Sequence, residues 1–182
     1  MATFTADLFM TLDGFGSGPV AYWGKEGPEL VEQRARVYGD EEQTLVFGAN
    51  TYRLMLRFAP APDDPSHAPL NAARKIVISR ALEEPLAWVN TTRVAEDALD
   101  AVPRLKAESP VPLRCHGSIS MNRALLAAGL VDRLEVMVFP IINGATGRNP
   151  ILADLPDIDL ELVDSRLFDG RVQQLVYVPT VR

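Results

Sequence analysis

A glycine and two serines stand where a short apolar strand meets a helix in the second half of the chain. Residues 111–115 have the composition of a buried strand, and residues 118–128 that of a helix which Gly129 ends. Gly117, between them, permits close approach of the backbone. The first amides of such a helix are unpaired and lie at the positive end of its dipole, so they can bind a phosphate. The alternative is an ordinary turn in which Ser118 or Ser120 caps the helix.

A second unit of the same kind occurs earlier in the sequence. Residues 44–47 form a short buried-type strand, Gly48 follows, and the residues up to 58 have the apolar face of a helix. The sequence therefore offers two helix amino ends, each preceded by a glycine turn.

Composition narrows the class of protein. With 182 residues, 47% of them hydrophobic, the chain can bury the core of a single domain over residues 1–182. No apolar run approaches the roughly 20 residues that span a bilayer, and no targeting segment is evident, so we expect a cytoplasmic protein without a membrane partner. The net charge of −6 and the lack of a basic cluster argue against nucleic acid as a partner.

Metal and thiol chemistry are not indicated. The chain has one cysteine and two histidines, too few for a disulfide framework or a classical zinc site, and we expect no metal. His67 lies in a proline-rich stretch and is interpreted as solvated. Cys115 and His116 are neighbours on a strand and should point to opposite faces, a buried thiol and a rim imidazole, rather than form a nucleophile pair. The turn at Ser118 and Ser120 also lacks the second glycine of a hydrolase nucleophile elbow.

Hydrophobic patterning predicts about eight strands and four helices. Strands alternate with helices through the middle of the chain, and Asp169-Gly170 is a strong hairpin signal near its end. This predicts a mixed sheet with helices on both faces. Glycine-rich residues 11–19 and proline-rich residues 59–70 are predicted to be loops, the first of them mobile. Predicted strands are 3–10, 44–47, 75–79, 86–89, 111–115, 134–139, 160–168 and 171–178, and predicted helices are 28–38, 48–58, 94–108 and 118–128.

Six short motifs, in this order, resemble the dihydrofolate-reductase-like family over almost the whole chain. The branch most similar is that of the carboxy-terminal reductase domain of bacterial riboflavin biosynthesis proteins. The motifs are Met-Thr-Leu-Asp-Gly at 10–14, Gly-Ala-Asn-Thr-Tyr at 48–52, Lys-Ile-Val-Ile-Ser-Arg at 75–80, His-Gly-Ser at 116–118, Ala-Ala-Gly-Leu-Val-Asp-Arg-Leu at 127–134 and Leu-Val-Asp-Ser at 162–165.

The resemblance implies an α/β fold with a mixed, mostly parallel eight-stranded sheet, a carboxy-terminal antiparallel hairpin and a homodimer. It also implies NADPH as cofactor and hydride transfer to a pterin-like or pyrimidine-like heterocycle. Two helix amino ends suit the two phosphates of such a dinucleotide. The implied cofactor-binding residues are Ala6, Gly48, Asn50, Thr51, Ser79, Arg80, Gly117, Ser118, Ile119 and Ser120.

One departure from the family affects the expected cofactor. Many relatives have arginine directly after the glycine of the second-strand turn, where it pairs with the ribose 2′-phosphate, whereas this chain has Ala49. Arg80 or Arg53 could supply the missing charge, or both could be solvated surface residues.

The resemblance also calls for a carboxylate that assists protonation of the substrate. Glu29, at the start of the first predicted helix, is the nearest match, and Asp13 is the competing acid, although Asp-Gly also forms plain turns. The leading hypothesis is thus a nicotinamide-dependent reductase of a small heterocycle. The alternatives are a non-catalytic nucleotide-binding relative that keeps the cofactor cleft and a structural dimerisation domain.

Overall fold

The structure, a computed structural model, describes residues 1–19, 25–39, 42–58 and 68–182. Within these ranges the chain forms ten strands, five α-helices and a short 3-10 helix. The strands are β1 (Phe4–Thr11), β2 (Phe15–Ser17), β3 (Thr44–Gly48), β4 (Arg74–Ile78), β5 (Thr91–Val94), β6 (Leu113–His116), β7 (Arg133–Phe139), β8 (Arg148–Pro150), β9 (Ile158–Phe168) and β10 (Val172–Val181), and the helices are α1 (Pro28–Gly39), α2 (Ala49–Phe58), α3 (Ala68–Ala72), α4 (Ala98–Glu108) and α5 (Ile119–Ala127).

Eight of the strands form one sheet in the order β5-β4-β3-β6-β1-β7-β10-β9. The six strands from β5 to β7 run parallel, and β10 and β9 run antiparallel at the end of the sheet. The mixed, mostly parallel sheet confirms the predicted fold class. Its central strands, β3, β6 and β1, all end at the same edge, and that edge carries the candidate site.

Helices cover both faces of this sheet, as predicted. Along β1 the side chains alternate, so that Phe4, Ala6 and Leu8 pack in the core that contains α4 and α5. Phe9, on the other face, packs in a second core with Leu30 of α1. A third core forms around Tyr52 of α2 on that same face. No helix of the described residues is long and apolar enough to cross a membrane.

The carboxy-terminal hairpin confirms the prediction from Asp169-Gly170. Both residues have positive φ, 51° and 62°, and the Arg171 N–H donates to the Phe168 carbonyl over 2.9 Å to close the turn. β9 is the outer strand of the sheet, and its side chains are exposed almost throughout. Four of these exposed side chains are apolar, namely Leu160, Leu162, Val163 and Leu167.

The fourth predicted strand was wrong. Residues 86–89 are not a strand; β5 begins at Thr91. Trp88 is buried instead by side-chain contacts, since its ring stacks on Phe47 at 5.7 Å and its indole N–H donates to Asn71 over 2.8 Å. The helix predicted from residue 94 begins only at Ala98, because Asp97 caps it. It continues through Pro103 to its predicted end at Glu108.

Both predicted loops contain secondary structure. In the glycine-rich stretch 11–19, β2 pairs with β8 in an antiparallel ribbon. In the proline-rich stretch, α3 begins at Ala68, with Pro69 in its first turn, where proline is tolerated. The described residues therefore form five α-helices, whereas four were predicted. Residues 59–67, with His67, lie outside the described residues.

Candidate active site

A cleft of about 980 Å³ opens at the carboxyl edge of the central strands. Its floor includes Phe9 of β1, Gly48 of β3 and His116 of β6, and its walls include the first turns of α2 and α5. Ligands of open α/β sheets bind at this edge, where the connections diverge. Because both helices begin here, their amino ends point their dipoles at the same space.

The two glycine turns at this edge are tied to each other. The Gly48 N–H donates to Ser118 Oγ over 2.9 Å, and the Ser118 N–H donates to Thr51 Oγ1 over 2.9 Å. Gly117 adopts a φ of 65°, and its own N–H donates to the Asp7 carbonyl over 2.9 Å. The two helix starts are therefore held together at a fixed separation.

The alternative in which the Ser118 side chain caps α5 was wrong. Ser118 occupies the N-cap position, but with φ 43° and ψ 49° it is in the left-handed region and makes no side-chain cap. Its hydroxyl is engaged by Gly48 instead, and Ser120 is exposed. The buried Asn122 side chain stabilises the turn by donating to the Gly117 carbonyl over 2.8 Å. No side-chain cap of Ser118 occupies the first N–H groups of α5, so these groups can donate to an anion. The phosphates of a dinucleotide are anions of this kind.

Most residues predicted to bind the cofactor line this cleft. Ala6 does not, since it is fully buried in the core. Ser79 is buried beside the cleft, where its Oγ accepts from the Ala81 N–H over 3.1 Å. The predicted residues that the structure brings together at the cleft are Gly48, Asn50, Thr51, Arg80, Gly117, Ser118, Ile119 and Ser120, and Ala49 lies among them.

The two candidate arginines differ in position. Arg80 lines the cleft, 73% of its side chain is exposed, and a guanidinium nitrogen lies 3.7 Å from Asp97 Oδ2. Arg53 is exposed and donates to Asn50 Oδ1 over 3.3 Å, and it does not line the cleft. Of the two, Arg80 is the one that lies at the cleft.

Glu29 lies away from the cleft, against the carboxy-terminal hairpin. The Glu29 and Leu30 N–H groups donate to the Asp169 carboxylate over 2.9 and 3.1 Å, while the Asp169 N–H donates to Glu29 Oε2 over 2.7 Å. This reciprocal arrangement caps α1 from a distant part of the chain. The Glu29 carboxylate is thus part of a helix cap.

Asp13 also serves backbone groups. Its carboxylate accepts from the Thr11 hydroxyl over 2.6 Å and from the Asn143 and Gly144 N–H groups over 3.0 and 2.7 Å. The Thr11 hydrogen bond and these amides hold the pKa of Asp13 below its usual value. An acid kept ionised in this way has no proton to donate near neutral pH. Neither predicted acid lines the cleft.

Sequence reasoning missed a buried acid–base pair under the cleft. His116 Nδ1 lies 3.0 Å from Asp7 Oδ2, and both side chains are about 95% buried. Next to them Arg114 donates to both carboxylate oxygens of Glu135, over 2.8 and 3.2 Å. Burial alone would raise the pKa of Asp7, but the charge and hydrogen bond of His116, with Arg114 and Arg34, lower it. The signal in the sequence was Asp7, a charged residue inside the buried strand β1.

Cys115 lies on the opposite face, as predicted. It is fully buried in the core, and burial raises the pKa of its thiol to about 12. A thiol in this state is a poor nucleophile. His116 is more deeply buried than a rim residue, yet it still lines the cleft.

Solved structures with the same fold include several named as reductases. A putative riboflavin biosynthesis protein from Shewanella sp. PV-4 is 19% identical, with a TM-score of 0.73 and 99% of each chain covered. A pyrimidine reductase-like protein from Corynebacterium diphtheriae is 15% identical, with a TM-score of 0.68 over 100% of this chain and 93% of the other. Dihydrofolate reductase from Enterococcus faecalis, complexed with NADP(H), is 13% identical, with a TM-score of 0.62 over 98% and 96%.

At these identities the structural similarities establish the dihydrofolate-reductase-like fold alone. Comparison with curated protein sequences gives no significant match. A family model does match, over residues 2–174, and its description is RibD C-terminal domain. Since the match spans nearly the whole chain and agrees with the resemblance seen in the motifs, the protein belongs to the RibD C-terminal domain family of reductases.

Proposed function

We propose that the protein is an NADPH-dependent reductase that transfers a hydride to a small pterin-like or pyrimidine-like heterocycle. The observation that carries this proposal is the pair of linked helix amino ends at one cleft. Ser118 is engaged by Gly48 and Thr51, so the amides that begin α5 remain available to an anion. A dinucleotide has two adjacent phosphates, and two converging helix ends match that charge distribution.

The phosphorylated cofactor is supported by two observations. Arg80 brings a cation to the cleft that Ala49 cannot provide. The dihydrofolate reductase with the same fold was solved with NADP(H). When bound, such a cofactor supplies the hydride, and the chain's own residues orient the reactants and exclude water.

The rest of the cleft suits a flat heterocycle. The apolar residues of its lining include Leu8, Phe9 and Ile78 of the strands and Leu54 and Met55 of α2. Aromatic rings pack well against such walls, and methionine adapts its shape to them. Membership of the RibD C-terminal domain family and the pyrimidine reductase-like protein of the same fold support this substrate class.

Purified protein tests the proposal directly. Isothermal titration should show saturable binding of NADPH that is tighter than binding of NADH. Reduced-nicotinamide absorbance should then fall when dihydrofolate or 5-amino-6-(5-phosphoribosylamino)uracil is added. Absence of binding of either cofactor would refute the assignment of the cleft.

A second function is favoured by one specific observation, the position of Glu29 and Asp13 outside the cleft. Without a proton donor the chain would be a nucleotide-binding relative that keeps the cofactor cleft. This alternative predicts NADPH binding without turnover of any heterocycle in the panel, whereas the reductase predicts both.

A further inference from the structure

We infer that His116 is the proton donor of this reductase and that Asp7 is the residue that positions it. The inference rests on the proposed function, since it supplies the acid that Glu29 and Asp13 do not bring to the cleft. It depends on the neighbouring positions of the two side chains, on their burial and on the other ionisable groups around the cleft.

The other ionisable side chains of the cleft are already engaged. Among the described residues these are two cations and two carboxylates, besides His116. Glu96 accepts from Arg104 over 2.7 Å, and Asp97 accepts from the Leu99 N–H over 3.1 Å as the cap of α4. The cations, Arg80 and Arg123, do not release protons near neutral pH. Histidine is the side chain whose ordinary titration range permits proton donation there.

The geometry of the pair assigns a role to each ring nitrogen. Asp7 Oδ2 lies 3.0 Å from Nδ1, so the carboxylate accepts the Nδ1 proton and fixes the orientation of the ring. The contact with Asp7 leaves Nε2 as the ring nitrogen that can face a substrate, and His116 lines the cleft. The rings of Phe9 and Tyr38 meet the imidazole edge-on, at 5.1 and 5.9 Å, and restrict its rotation.

Several charged side chains surround the pair. The Asp7 carboxylate is closest, and its second oxygen, Oδ1, is buried without a partner among the described residues. Arg114, on the same strand as His116, is 3.7 Å from Asp7 but makes its shorter contacts with Glu135 of β7. From α1, Arg34 lies 5.9 Å from the Tyr38 ring centroid, and burial raises the pKa of Tyr38, which stays neutral.

The proposed step is balanced in atoms and charge. Hydride from the dihydronicotinamide adds to the carbon of a substrate C=N bond, and the π electron pair moves to the nitrogen. That nitrogen takes the proton from His116 Nε2, so the imidazolium becomes neutral imidazole while Nδ1 keeps its hydrogen bond to Asp7. The nicotinamide is oxidised, the substrate is reduced, and solvent restores the proton before the next turnover.

Two variants test the inference. His116→Gln should bind NADPH within about twofold of the wild type and lose turnover by at least about 100-fold, the usual contribution of a general acid. Asp7→Asn should lower kcat more than it changes KM, because the imidazole ring loses the carboxylate that fixes its orientation. Turnover by His116→Gln within about threefold of the wild type, with turnover by the wild type established, would overturn the inference and leave the proposed function standing.

NMR of the wild-type protein gives a readout that is independent of turnover. The chain has two histidines, so the ¹⁵N ring signals that survive in His67→Gln belong to His116. At the pH of maximal turnover these signals should report protons on both ring nitrogens and a hydrogen-bonded Nδ1–H that disappears in Asp7→Asn. A neutral ring at that pH would overturn the inference even if a variant failed to fold. Lack of wild-type turnover together with normal NADPH binding would instead refute the reductase itself.

Discussion

Replacing Gly117 with alanine should weaken NADPH binding far more than it weakens the fold, and Gly129→Ala supplies a matched control. Both glycines have positive φ, 65° and 67°, so either substitution places an L-residue in the left-handed region. The expected loss of unfolding free energy is about 1–2 kcal/mol in each case. Gly117 precedes α5 at the cleft, whereas Gly129 follows α5 at its opposite end.

The neighbours of the added methyl group distinguish the two sites. At position 117 a Cβ would lie 3.3 Å from Thr51 Cγ2, closer than ordinary contact, and 3.5 Å from Thr51 Oγ1. Thr51 Oγ1 accepts the Ser118 N–H, so displacing it loosens the link between the turns. At position 129 the nearest atom is Val181 Cγ2, at an ordinary 3.7 Å. Loss of one hydrogen bond to a charged phosphate costs about 1.5–3 kcal/mol, or about 10-fold to 150-fold in affinity.

Two measurements separate the effects. Urea denaturation without cofactor should give similar losses of stability for Gly117→Ala and Gly129→Ala. Isothermal titration with NADPH should give a weaker affinity for Gly117→Ala and the wild-type affinity for Gly129→Ala. Equal affinities in the two variants would refute the placement of the phosphates at this turn.

Three further predictions concern other parts of the molecule. Arg80→Ala should weaken NADPH about fivefold relative to NADH, since an exposed ion pair contributes about 1 kcal/mol; Arg53→Ala should leave the preference unchanged, and equal losses for both cofactors would make Arg80 only a surface charge. In urea denaturation, Lys75→Met should lower the free energy of unfolding by about 3 kcal/mol. The reason is that Nζ donates to three carbonyl groups, at 2.6 to 3.1 Å, and these hydrogen bonds are lost. Burial lowers the pKa of Lys75 to about 8 from 10.5, so the unfolded chain binds more protons between these values and wild-type stability should rise with pH there, a rise that Lys75→Met lacks. Light scattering should give about twice the 20.0 kDa chain mass, and Leu162→Arg, on the exposed face of β9, should give a monomer; a monomeric wild type would contradict the homodimer.

Elements with local signals were predictable from the sequence. The turn at Asp169-Gly170 has two consecutive positive φ angles, which few residue pairs adopt without strain. These two residues were therefore sufficient to predict the hairpin. Both glycine turns followed apolar strands and were placed correctly because a buried strand and a helix impose different periodicities.

Elements decided by distant contacts were not predictable in the same way. Residues 86–89 contain apolar residues suited to a strand, but Trp88 packs on Phe47 and bonds to Asn71 instead of pairing in the sheet. The cap of α5 failed for a similar reason. The residues next to Ser118 in the sequence do not show that its hydroxyl oxygen accepts a hydrogen bond from the Gly48 N–H, 70 positions away.

The pair of Asp7 and His116 under the cleft shows how one residue in the sequence can indicate a contact between distant parts of the chain. Asp7 and His116 are directly opposite in the parallel register of β1 and β6, so their side chains point to the same face. A slip of one residue would move one of them to the opposite face and separate them, and no local pattern fixes that register. However, a carboxylate in a buried central strand requires a partner, because burying an unpaired charge costs several kcal/mol. The histidine that ends the neighbouring strand meets this requirement, and it lies at the floor of the cleft, where we infer that it donates a proton.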